Sequence, residues 1–204
     1  MIAIIDYGCG NLFSLSSSLE SLGIDCKITS DKTEIENADK IILPGVGAFA
    51  DAAKKLKDSG LGKLVCDLAA QGKPILGICL GMQMLFEKSF EYGAHMGLGL
   101  IKGYVGPLEG QISKDLKIPH MGCNKLNLAK AVPIFKYTQP GDYMYFVHSF
   151  YARNCVENTL AFAEYGVAVP AIVKNGNVYG MQFHPEKSGA KGLALLKAFS
   201  EIGD

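Results

Sequence analysis

Gly77-Ile78-Cys79-Leu80-Gly81 puts a thiol where a nucleophile elbow puts a serine. The pattern falls between an apolar run at 74–78 and a helix expected over about 82–88. The flanking glycines allow a sharp turn with no side chain crowding the sulfur. The start of a helix carries partial positive charge, which favours thiolate over thiol. The backbone N–H of Leu80 would then face an oxyanion. A cysteine alone is more often a small buried hydrophobe, so the elbow needs a base. His184-Pro185-Glu186 offers one, at the end of a strand expected over 178–183. Residues two apart in an extended segment share a face, and Pro185 biases His184 towards that geometry. The carboxylate can hold one imidazole nitrogen and leave the other to work. Pro44-Gly45-Val46-Gly47 closes another expected strand, Lys40–Leu43. Its two glycines let the N–H groups of Gly45, Val46 and Gly47 turn towards a ligand. Nucleophile, base, orienter and oxyanion donors are the parts of acyl transfer.

These residues must come to one edge of one scaffold. The first half alternates strand and helix, the pattern of a mostly parallel sheet flanked by helices. Strands are expected at 2–6, Cys26–Thr29, Lys40–Leu43 and 74–78, and helices at 12–22, 48–57 and 61–71. Asn11 is the expected N-cap of the first helix and Gly23 its stop. Gly8-Cys9-Gly10 follows the first strand but lacks the third glycine of a dinucleotide fingerprint, so it reads as a tight turn. The second half holds short β-branched or aromatic runs at 98–105, 125–128, 143–150, 159–165, 169–174 and 178–183. Asn175-Gly176-Asn177 marks a hairpin between the last two. A helix over 190–199 ends the chain. The whole reads as one α/β domain over 1–204, an open, mostly parallel sheet with antiparallel strands added late.

The chain has 204 residues, with 20 Lys+Arg against 20 Asp+Glu. Zero net charge and no basic run argue against nucleic acid as the main ligand. No apolar run approaches the roughly 20 residues of a membrane span, and no signal segment precedes the first strand. The six cysteines form no CxxC pair, so neither a zinc knuckle nor a disulfide framework is expected. A cytoplasmic protein with reduced thiols, no metal and no cofactor is the expectation.

Taken together, Pro44–Gly47, Gly77-Ile78-Cys79-Leu80-Gly81-Met82-Gln83 and Gln182-Phe183-His184-Pro185-Glu186 resemble the motifs of the class I, triad-type glutamine amidotransferases, in matching order and spacing. The resemblance implies a flavodoxin-like fold and a catalytic triad of Cys79, His184 and Glu186. It implies that Gln83, Ser149 and Phe150 hold the substrate glutamine. Further segments resemble one branch of that family, the glutaminase subunits of histidine biosynthesis. These are Ile5-Asp6-Tyr7-Gly8-Cys9-Gly10-Asn11-Leu12, Pro119-His120-Met121-Gly122 and Tyr145-Phe146-Val147-His148-Ser149-Phe150. That branch hands ammonia to a separate (βα)8-barrel synthase in a 1:1 heterodimer, and a chain of this length leaves no room for an acceptor domain. The glutaminase of that branch is nearly silent until the loaded synthase docks, and Gly45–Gly47 is the expected switch. Asn11, Cys123, Tyr145 and Lys187 match positions near the docking face. One departure stands out: Cys123 replaces a tryptophan that would be a large aromatic anchor. It leaves open a paralogue feeding another synthase, for instance one of surface-sugar synthesis, and a non-catalytic scaffold of the same fold.

Overall fold

The computed structural model describes residues 1–203. Its first half is β1 (Ile2–Ile5), α1 (Leu12–Ser21), β2 (Cys26–Thr29), α2 (Lys32–Asn37), β3 (Lys40–Leu43), α3 (Phe49–Ser59), α4 (Leu61–Ala70), β4 (Ile75–Ile78) and α5 (Leu80–Met84). The second half is β5 (Phe86–Ser89), β6 (His95–Met96), β7 (Ile101–Pro107), β8 (His120–Lys125), β9 (Asn127–Leu128), β10 (Tyr143–His148), β11 (Phe150–Arg153), β12 (Thr159–Glu164), β13 (Ala168–Asn175), β14 (Val178–Met181) and α6 (Gly189–Ser200).

The central sheet runs β2-β1-β3-β4-β14-β13-β12-β9. It is parallel as far as β14 and antiparallel beyond. Strands covered on both faces read as unbroken apolar runs, and Ile2-Ala3-Ile4-Ile5 is buried throughout. Alternate residues serve opposite sides. Ala3 and Ile5 pack with Ile35, Phe49, Leu56 and Val65 from α2, α3 and α4, whereas Ile2 and Ile4 pack with Leu15, Leu19, Leu195 and Phe199 from α1 and α6. The β13–β14 hairpin turns at Gly176-Asn177, with Gly176 at φ +56° in the first central position that type II′ geometry reserves for glycine.

Three expectations are corrected. The helix expected over 82–88 is only Leu80–Met84, because Phe86 and Lys88 pair with Ile101 and Tyr104 as β5 against β7. The strand expected over 143–150 breaks at Ser149, since β10 pairs with β8 and β11 with β7. The run expected over 125–128 begins earlier: β8 and β10 form a separate antiparallel ribbon that places Tyr145 opposite Cys123 and His148 opposite His120. Asn11 precedes α1 but makes no side-chain cap.

Candidate active site

The elbow is strained at the nucleophile itself. Cys79 has φ 55° and ψ −112°, a backbone conformation that costs a non-glycine residue roughly 1–3 kcal/mol. It is held by Cys79 N–H donating to Met181 O at 2.7 Å and by Gln83 N–H donating to Cys79 O at 3.1 Å. The flanking glycines do a different job from the one expected. A Cβ on Gly81 would lie 1.9 Å from Leu43 O, and one on Gly77 would lie 2.6 Å from Gly81 O. They let α5 sit tightly on β3 and β4, while the cysteine makes the turn. With five residues, α5 has little macrodipole, so the cation that matters to the sulfur is His184.

His184 arrives on the loop after β14, the strand hydrogen-bonded beside β4. Its Nδ1 lies 2.8 Å from Glu186 Oε1. The carboxylate can only accept, so Nδ1 carries the proton and Nε2 is left for Cys79, with which the ring also hydrogen-bonds. Glu186 reaches back through a 3-10 turn at Pro185–Lys187, and not from the extended two-residue spacing expected. Burial pushes the imidazole's pKa down. The hydrogen bonds and charges of Cys79 and Glu186 outweigh it and lift the value to about 9, so the ring is an imidazolium at neutral pH. Tyr145 clamps the base from β10. Its carbonyl accepts from His184 N–H at 2.9 Å, and its N–H donates to Ser188 Oγ at 2.9 Å, which in turn donates to His184 O at 2.6 Å.

A pocket of about 300 Å³ opens over the sulfur. Six of the expected residues line it besides Cys79 and His184, namely Val46, Gly47, Leu80, Gln83, Ser149 and Phe150. Gly45 lies behind it, where an added Cβ would meet Gly81 N at 2.7 Å. The Leu80 N–H is not free for an oxyanion: it donates to Gly45 O at 3.3 Å, a long bond that turning one peptide would release. Glu91, Tyr92, Val147 and His148 complete the walls and were not among the expected site residues. Glu91 Oε2 accepts from the Phe49 N–H at the start of α3 at 2.7 Å, which brings a carboxylate to the wall. Tyr92, at φ +51°, stacks edge-on against Phe150 with centroids 5.8 Å apart. An acidic residue beside a turn glycine, as in Glu91-Tyr92-Gly93, was the one available signal.

The four expected docking residues sit outside the pocket, with Asn11, Tyr145 and Lys187 beside His184 or Glu186. Cys123 is exposed on β8 beside Tyr145. Lys187 is exposed and follows Glu186, while Asn11 shares with Glu186 the lining of a minute cavity behind Gly45.

An elbow cysteine, a carboxylate-held imidazolium and a glycine strand at the carboxyl edge of a parallel sheet define a class. The chain belongs to the class-I glutamine amidotransferase family, whose model matches residues 3–201. Among named relatives it is 50% identical over 202 residues to the imidazole glycerol phosphate synthase subunit HisH of Listeria monocytogenes serotype 4a, covering 99% of this chain and 96% of that one. It is also 50% identical over 203 residues to the subunit of the same name from Caldanaerobacter subterraneus, covering 99% and 98%. A crystal structure of a glutamine amidotransferase shares the fold at TM-score 0.77 and 20% identity, with 98% of each chain covered.

Proposed function

We propose that this chain is the glutaminase subunit of an imidazole glycerol phosphate synthase. The observation that carries the chemistry is His184 held between Glu186 and Cys79 at the floor of the pocket. Cys79 sulfur attacks the side-chain amide carbon of glutamine. The C–N bond breaks as the His184 imidazolium gives its Nε2 proton to the leaving nitrogen, releasing ammonia and a γ-glutamyl thioester. The neutral imidazole then takes a proton from water, the hydroxide attacks the thioester, and glutamate leaves. Val46 and Gly47 N–H groups, joined by Leu80 once its bond to Gly45 O is released, would hold the oxyanion. Gln83, Ser149 and Phe150 hold the substrate.

Ammonia released into neutral water is protonated and no longer a nucleophile, so the product needs a sheltered receiver. The reading assigns that part to a (βα)8-barrel synthase docked 1:1 over Asn11, Cys123, Tyr145 and Lys187 in the cytoplasm. That synthase uses the ammonia to form imidazole glycerol phosphate and aminoimidazole carboxamide ribotide in histidine biosynthesis. The half-identical relatives named as subunits of that enzyme support the assignment. Cys123 favours keeping a second reading, a paralogous glutaminase feeding another synthase such as one for surface sugars. The test mixes wild type and Cys79→Ala with the barrel synthase and follows glutamate release. Wild type should turn over and Cys79→Ala should lose at least about a thousandfold. Equal rates would end the thioester mechanism. Turnover of glutamine with no activation by that synthase would move the assignment to the paralogue. Absence of covalent labelling of Cys79 by an electrophilic glutamine analogue, with synthase bound, would leave a scaffold.

A further inference from the structure

Two histidines outside the triad face each other across the β8–β10 ribbon. His120 and His148 are register partners, and His120 Nδ1 lies 3.0 Å from His148 Nε2. Both are buried, and His148 lies on the wall of the candidate glutamine pocket. Their tautomers follow from the ends of the chain of bonds. The Phe150 carbonyl can only accept, and His148 Nδ1 stands 2.9 Å from it, so Nδ1 carries hydrogen. In a neutral ring Nε2 is then the acceptor, and His120 Nδ1 must be the donor. That leaves His120 Nε2 as an acceptor, and Asn124 Nδ2 lies 3.5 Å away. The His120 ring cannot swing out of this line. It is stacked between Tyr165, centroids 3.9 Å apart, and Phe146, centroids 4.9 Å apart.

The same Phe150 carbonyl accepts from Gln83 Nε2 at 3.0 Å, and the preceding Ser149 carbonyl accepts from Leu108 N–H at 2.9 Å. The peptide planes on both sides of Phe150 are therefore held, one by a backbone bond and the other by two side chains beside the pairing of β11 with β7. The nitrogens of both histidines are taken up by this chain of bonds, and neither is needed for proton transfer.

We propose that His120 and His148 are positioning residues for glutamine: acting in series, they hold the Phe150 carbonyl and so keep the Ser149–Phe150 wall in the orientation that receives the substrate. The proposal rests on the glutaminase reading above and adds the source of the wall's rigidity. A buried hydrogen-bond chain with every direction specified selects one arrangement, where an apolar contact would tolerate several.

His120→Phe keeps the stack on Tyr165 and Phe146 but removes the donor. His120→Asn keeps a donor near the position of Nδ1 and loses most of the stack. Measured in the complex with the synthase, His120→Phe should raise KM for glutamine about tenfold, the equivalent of one hydrogen bond. Its kcat should stay within about twofold, and the rate of Cys79 alkylation by iodoacetamide should not change. His120→Asn should bring KM back to within about threefold of wild type. A packing role predicts the opposite order, with Phe better than Asn and KM, kcat and melting temperature moving together; that order overturns the proposal. If His120→Phe does not fold, His148→Asn against His148→Leu makes the same comparison, Asn again retaining a donor for the Phe150 carbonyl. Unchanged KM in a wild-type-like complex sinks the positioning role and leaves the glutaminase reading intact. A wild type that neither hydrolyses glutamine nor is protected by it from alkylation sinks both.

Discussion

At the scale of single residues, the imidazolium of His184 ties activity and stability to pH in the same direction. Burial opposes its charge, but Cys79 and Glu186 hold its pKa near about 9 against an ordinary value of 6.5. The folded state therefore grips this proton more tightly than the unfolded state. The stabilisation is complete below pH 6.5 and is lost as pH rises through about 9. The difference in urea midpoint between wild type and His184→Gln should be largest near pH 6 and should close by pH 10. A difference constant across that range would show that the ring is not held as a cation. Glutamine turnover should fall along the same alkaline limb, because the leaving nitrogen then lacks its proton donor. The grouping of Cys79, His184 and Glu186 was legible in the sequence because it is written in residue types: a cysteine between two glycines, and a histidine and a carboxylate joined by proline. The pocket's Glu91 was not, because its place depends on a turn containing Tyr92 at φ +51° and Gly93 at φ +138°, and on a bond to Phe49 far away in sequence.

At the scale of elements, close approach explains what periodicity did not. Residues 82–88 fit helical and extended periods alike, and the pairing of β5 with β7 decides where the helix stops. Helix α5 is short, yet it is placed with little tolerance, because Gly81 brings it against the end of β3. Gly81→Ala would force its Cβ to within 1.9 Å of Leu43 O. It should cost about 3 kcal/mol or more and lower the melting temperature by roughly 5 °C or more, with loss of turnover. A melting temperature within a degree of wild type would mean that the elbow does not rest on β3. One strand of the ribbon was hidden for a related reason. Strand β10 lies within the run expected over 143–150, but β8 does not announce itself: one face carries Met121 and Cys123, the other His120, Gly122 and Asn124, and neither is apolar enough to read as a strand.

At the scale of the molecule, the fold as a class was legible from the alternation of its first half, whereas the division of the late strands among three sheets was not. Burial within those late strands makes the protein sensitive to acid. Burial lowers His120 to about 4, and burial with the neighbouring His120 lowers His148 to about 3. Between those values and 6.5 the unfolded chain binds protons that the folded chain refuses, so stability falls as pH drops through that window. Urea midpoints should decline steadily from pH 6.5 to 4, and the double variant His120→Phe/His148→Phe should decline less steeply. Parallel slopes would remove the histidines from the account. Cys79 closes β4, but His184 follows β14, which slots between β4 and β13 and is made only after β13. A nascent chain, or one cut short by a premature stop, would carry its thiol with no partner base and with the edge of β4 uncovered. Copies that stop before β14 would lack both His184 and the strand that covers this edge of β4, so the thiol meets its base only after β14 is made.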